Sequence, residues 1–91
     1  MDGVNTDAPG LTFPCEYPVK AMGPHTNDLT QAVWAIVTAH APETPSTNCR
    51  TSQSRQGRFL SVTVTITAQS RDQLDAIYAD LQAHSGVLAT L

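Results

Sequence analysis

Residues 60–68 alternate without interruption: Leu60, Val62, Val64, Ile66 and Ala68 stand at every second position, with Ser61, Thr63, Thr65 and Thr67 between them. Successive side chains of a strand point to opposite faces, so this run has one dry face and one polar face. Thr, Val and Ile also suit a pleated, half-buried surface. The pattern predicts a long strand whose apolar face must be covered by other elements of the chain.

Those elements can be read on either side of it. Cys15, Tyr17, Val19 and Ala21 fall on one face at period two and predict a first strand over 15–23, with order beginning near Leu11. Pro18 has no amide donor, so the spacing predicts either a bulge there or pairing that starts at Val19. After Gly23-Pro24, Asp28 with Gln31 three residues on makes a capping pattern. Leu29, Val33, Ile36, Val37 and His40 then recur at helical spacing until Pro42, which predicts a helix over 27–40. Residues 41–46 form a polar, Pro-punctuated connector.

Residues 47–54 have almost no apolar alternation, which suits a second strand at an exposed edge, and Gln56-Gly57 marks a turn. Ser70 with Gln73 is a capping-box pattern ahead of Leu74, Ile77, Tyr78 and Leu81, predicting a second helix that ends near His84-Ser85-Gly86. Val87–Leu91 closes the chain as a short last strand.

Two strand–helix–strand halves with both helices on one face predict an α+β, ferredoxin-like βαββαβ sandwich with an antiparallel four-stranded sheet in the order 4-1-3-2. Residues 11–91 make the single domain. Residues 1–10 are Asp, Asn, Gly and Pro with one isolated Val4, and read as a flexible N-terminal arm. The Ser/Thr face of the third strand points away from the helices. An open sheet face with two edges invites a partner, and side-by-side pairing into a homodimer is the simplest way to cover them.

Several function classes find no foothold. At 91 residues with 41% apolar and 14% charged residues, the chain fits one globular domain. It has neither an apolar run long enough for a membrane helix nor a leader-like start, and reads as an untargeted cytoplasmic protein. The net charge of −3 disfavours broad binding to nucleic acid phosphates. Gly57-Arg58-Phe59 resembles the start of an RNA-binding aromatic strand, but Ser and Thr stand where further stacking residues belong. No GxSxG, HExxH, P-loop or GxGxxG occurs, so the chain reads as a non-enzyme with no cofactor.

Taken in order, Phe13-Pro14-Cys15, Lys20-Ala21-Met22-Gly23, His40-Ala41-Pro42, Ser54 with Gly57, Ser61 to Ala68, and Gln73-Leu74-Asp75-Ala76-Ile77-Tyr78 resemble the YbeD-like, or lipoate-regulatory-like, small bacterial proteins. The likeness runs from Leu11 to Leu91, while Pro18 and Trp34 stand outside the family pattern. The resemblance implies a fold similar to regulatory ACT domains and a regulatory role, including in lipoate metabolism. It brings no catalytic residues to carry over.

The remaining candidates follow from local chemistry. Gly23, His25, Asn27 and Asp28 join the first strand to the first helix, where ACT domains hold small ligands such as amino acids or carboxylates; a plain turn with a helix cap explains the same residue types. Arg50, Arg55 and Arg58 place three of the five basic residues on one hairpin. With Trp34 they are candidates for contact with a protein partner, against the simpler reading of charges that block edge aggregation.

His40 and His84, each at a helix C-terminus, are expected at opposite ends of the molecule and suit the helix dipole without a metal. No carboxylate is placed by spacing to support either as a ligand. Asp72, Asp75 and Asp80 read as the wet face of the second helix. Cys15, His40 and Cys49 come near one end of the fold, but the cysteines are expected two strand spacings apart, about 9 to 10 Å, so neither a disulfide nor a metal site is expected.

Overall fold

The computed structural model describes residues 11–91, and the arm expected over 1–10 lies outside the described residues. The elements run β1 (Cys15–Pro24), α1 (Leu29–His40), β2 (Cys49–Gln53), β3 (Phe59–Ala68), α2 (Arg71–Ala83) and β4 (Ala89–Thr90), with one 3-10 turn at Ser46–Asn48. The strands form one antiparallel sheet in the order β2-β3-β1-β4, which is 4-1-3-2 read from the other edge. This is the ferredoxin-like α+β sandwich.

The alternation of β3 drives the packing. Leu60, Val62, Val64, Ile66 and Ala68 are all buried, as are Val19 and Ala21 opposite them on β1. Leu29, Val33 and Val37 of α1, at i, i+4 and i+8, and Leu74, Ile77 and Leu81 of α2, at i, i+3 and i+7, close over that face. Full burial of each large side chain contributes about 1.5–3 kcal/mol.

β1 pairs with β3 from Cys15↔Ala68 to Pro24↔Phe59 without a bulge, so neither expectation at Pro18 holds. The reason lies in which way each residue turns its main chain. Lys20 and Met22 accept from Leu91 and Leu88, so the even residues of β1 face the β4 side, while His25 donates to Arg58 and the odd residues face β3. Pro18 therefore turns its missing donor away from the ladder. β4 pairs only with Ala21 and Met22 and does not reach it, so no hydrogen bond is lost.

Other boundaries differ for similarly local reasons. α1 starts at Leu29 rather than 27, because its first i→i−4 hydrogen bond runs from the Ala32 amide to the Asp28 carbonyl; Asp28 is thus the N-cap, although its side chain makes no cap hydrogen bond. Ser70 does cap α2, accepting from the Gln73 amide at 3.1 Å, while the Gln73 side chain reaches the Gln69 amide at 2.7 Å. β2 is shorter than 47–54, since residues 46–48 coil into the 3-10 turn. β4 keeps two residues of the expected 87–91. The Tyr78 hydroxyl donates to the Leu91 carbonyl at 3.1 Å, fastening the chain beyond β4 to α2.

Gly23 is where the two halves of the fold touch most closely. A Cβ added there would collide with the backbone carbonyl of Gly86, in the loop between α2 and β4. Ala would normally be favoured over Gly within a strand by about 0.5–1 kcal/mol. Here overpacking against backbone prevails, and Gly23→Ala is expected to destabilise the protein by about 1–3 kcal/mol in denaturant melts, with a correspondingly lower Tm.

Tyr78 supplies a second expectation. Burial first, and then its hydrogen bond with Tyr17, push its phenol above the ordinary range near 10. The folded state thus holds this proton more tightly than the unfolded chain does. Its contribution is complete below pH of about 10 and is lost as pH rises further, when the unfolded state sheds the proton first. Thermal melts should show Tm falling above that pH, with a shallower fall in Tyr78→Phe.

Candidate functional site

The sheet has one face without helices. The residues that alternate with the core positions turn to it: Glu16, Pro18, Lys20 and Met22 on β1, Ser61, Thr63, Thr65 and Thr67 on β3, and Arg50 and Ser52 on β2. Arg50 is exposed and stands beside Thr63, with Lys20 on the far side of that threonine. The face is thus a field of hydroxyls carrying the positive charges of Arg50 and Lys20, with the carboxylate of Glu16 among them.

The β2–β3 turn explains why Ser54 and Gly57 occur together. Gly57 donates to the Ser54 carbonyl at 2.9 Å and adopts φ +74°, a left-handed conformation that glycine takes at no steric cost. The Ser54 hydroxyl accepts from the Phe59 amide at 3.1 Å. This tight turn holds Arg55 and Arg58 in solvent at the tip, both exposed.

Two candidate sets that are distant in sequence meet at this turn. The His25 amide donates to the Arg58 carbonyl at 2.8 Å, and His25 Nδ1 lies 3.1 Å from the Gly57 carbonyl. The Gly23–Asp28 loop therefore abuts the basic hairpin. Gly23 itself is buried against Gly86, while Asn27 and Asp28 are exposed ahead of α1. Trp34 does not join them: it is half-buried on α1, packed on the core on the opposite side of the sheet from Arg50.

At the other end of the molecule β3 outruns β2, whose pairing stops at Cys49↔Val64. The Asn48 side-chain amide donates to the Thr65 carbonyl at 2.8 Å, in place of the next ladder bond. Between this overhang and the connector 41–45 lies an open groove of about 530 Å³, lined by polar groups that include Glu43, Asn48, Thr65, Thr67 and Gln73. Sequence reasoning did not find it. Its only signal was the Pro-punctuated connector.

His40 has a carboxylate partner after all: its Nε2 lies 2.7 Å from Asp80 Oδ2, so Asp80 is not simply part of a wet face. The pair joins the two helices, which is why spacing within either one could not disclose it. Gln73, in the first turn of α2, donates to the His40 carbonyl at 2.9 Å, whereas His84 follows the last turn and accepts from the Gly86 amide through Nδ1 at 2.9 Å. The two histidines lie at opposite ends. Cys15 stands beside Ala68 and Cys49 beside Val64, with β3 between them, and both thiols are free. Burial raises the Cys49 thiol above its ordinary range, away from thiolate chemistry. Among the described residues no three His, Cys, Asp or Glu side chains gather as metal ligands. No helix among them is long and apolar enough to cross a membrane.

Comparison with known proteins bears on the family and the fold. The family described as protein of unknown function (DUF493) matches residues 8–91. A UPF0250 protein of Hahella chejuensis is 40% identical over 91 residues, covering all of both chains, and one of Azotobacter vinelandii is 43% identical over 84 residues, 91% of each. The solution structure of protein HP0495 from H. pylori superposes with a TM-score of 0.69 over 100% of this chain and 98% of that one, at 14% identity, a likeness of fold. The chain belongs to the DUF493 family, the small bacterial family of YbeD-like proteins that its motifs resemble.

Proposed function

We propose that this protein is a non-enzymatic regulatory or sensing module that works through protein contacts of its sheet and its basic hairpin, as a homodimer and with a further partner in the bacterial cytoplasm. The observation that carries this reading is the uncovered sheet face, polar and flanked by exposed arginines. Both helices pack on the opposite face, so it faces solvent along the whole length of β3. Arg50 from the sheet and Arg55 and Arg58 from the turn suit an acidic partner, because a guanidinium can grip a carboxylate through two hydrogen bonds.

A second reading has one observation in its favour. Asp28 makes no side-chain cap, so the first amides of α1 are not claimed by it, and an ACT-like site for an amino acid or carboxylate at Gly23, His25, Asn27 and Asp28 draws on that donor end. Selective binding to the native state raises Tm. Thermal melts with amino acids, lipoate and related carboxylates should leave Tm unchanged if the protein-contact reading is right; a concentration-dependent rise would favour the ligand site.

The protein-contact reading is tested by tagged purification from the native cytosol with wild type and with Arg50, Arg55 and Arg58 changed to Ala. All three side chains are exposed, so the variant should fold with nearly unchanged Tm. Loss of a co-purifying protein is expected, since truncating an interface anchor costs more than about 1 kcal/mol. Retention of the same partners by the triple variant would overturn the assignment to this hairpin.

A further inference from the structure

The two edges of the sheet are not equivalent, and the difference says which one is built to receive another strand. On β3 the odd residues turn their main chain to β2, as the bond from the Ser54 amide to the Phe59 carbonyl shows, so on β2 Arg50 and Ser52 face β3. Thr51 and Gln53 consequently direct their N–H and C=O groups outward from the sheet, and Cys49 its C=O, the Cys49 amide being taken by the Ser46 carbonyl. The opposite edge is short and interrupted, since β4 spans only two residues. There β4 covers Ala21 and Met22, and the uncovered part of β1 presents Pro18, which has no donor, beside the charged Glu16.

We propose that the occupant of the β2 edge is a second copy of this chain, paired antiparallel through β2 about a two-fold axis at Thr51. The inference rests on the protein-contact reading above and makes it specific. Self-complementarity selects the partner, because an isologous contact must satisfy the same groups on both sides. Centred on Thr51, Cys49 meets Gln53 of the second copy, Thr51 meets its own counterpart, and Gln53 meets Cys49. The outward amides of Thr51 and Gln53 then meet the carbonyls of Thr51 and Cys49 of the second copy.

Charge and hydrogen bonding select the register. Centring on Arg50 would set two guanidiniums directly opposite each other, which is destabilising, and would leave Gln53 outside the pairing. Centring on Ser52 would carry Cys49 past the end of the partner strand, opposite Arg55. The Thr51 register keeps the pairing within β2, places each Arg50 opposite Ser52 on the open face, and sets a Thr–Thr pair on the other. The two sheets then join into one continuous sheet whose open faces are continuous and carry the arginines of both copies.

A five-residue edge is short. It falls below the roughly 1,200 Å² of a standard interface, so the dimer should dissociate on dilution. Sedimentation of the full chain from micromolar to sub-millimolar concentration should show a monomer–dimer equilibrium. Thr51→Pro removes an outward donor without touching the β3 ladder and should yield monomer, while Ala at Arg55 should leave the dimer intact.

Cross-linking keeps the register testable even if the proline variant fails to fold. In a background with Cys15 and Cys49 changed to Ser, Thr51→Cys brings two thiols within disulfide reach, at a Cα separation of about 5.5 Å. Diamide should link it about tenfold or more faster than Arg55→Cys, because pairing raises the effective thiol concentration. Equal rates together with a dimeric Thr51→Pro would overturn the β2 edge while leaving the protein-contact reading standing. A wild type that stays monomeric at every concentration would overturn the dimer itself, and the arginine purification then judges the wider reading separately.

Discussion

β1 and β3 pair over ten residues without a break, from Cys15↔Ala68 to Pro24↔Phe59. A slip of one residue between them would turn Val19 and Ala21 to solvent and bring Lys20 and Met22 into the core, because side chains change face at every step. The buried set on both strands therefore holds the register. The rest of the molecule hangs from that ladder: β2 takes its alignment from β3, β4 from β1, and each helix lies over the apolar face the pair creates. The touching backbones at Gly23 and Gly86 belong to the same constraint, since Gly23 sits opposite Leu60 within the ladder.

This arrangement also decides what chemistry can assemble. A sheet in the order β2-β3-β1-β4 puts a whole strand between Cys15 and Cys49, and antiparallel helices send His40 and His84 to opposite ends. What does come together is structural. Asp80 meets His40 across the helix pair, and His25 ties the β1–α1 loop to the turn at Gly57. Both contacts fasten elements that are remote in sequence, as do the Asn48 and Gln73 amides beside the groove. Each polar side chain of this kind spends its hydrogen-bonding capacity on backbone or on a neighbouring helix, which stabilises the fold and leaves fewer groups for a substrate.

How much of this was legible in the sequence follows from how local each signal is. The alternation of 60–68 and the spacings of Leu29–Val37 and Leu74–Leu81 are periodic within one element, and they disclosed the architecture and nearly all of the core. Ser70 and Gln73 form a cap three residues apart, and that too was readable. Asp28 and Gln31 show the same spacing without the cap, because the backbone at Asp28 had already turned helical. β2 begins only after residues 46–48 have coiled into the 3-10 turn, beside a β3 that runs on, and β4 pairs with two residues of a longer β1; no period within 47–54 or 87–91 records either limit. The pairs His40–Asp80 and His25–Gly57, forty and thirty-two residues apart, and the groove beside Thr65 and Thr67 exist only once the chain has folded back.

Pro18 shows how a residue can mislead a reading of sequence and yet be informative about function. Read along the chain, it is an obstacle inside a strand, and a bulge is the obvious remedy. Read across the sheet, its donorless nitrogen faces the side of β1 that β4 leaves uncovered, so the residue costs the ladder nothing and removes a donor from an exposed edge. An exposed edge with regular donors and acceptors is a template for unwanted pairing, and proline is one of the ways proteins blunt it. On β2 the outward main chain carries no such block at Thr51 or Gln53, while the charge at Arg50 points to the face rather than out of the edge. A protein that blunts one edge and leaves the other open restricts association to a single direction, and an edge that pairs with its own kind ends at two copies instead of growing into a fibre.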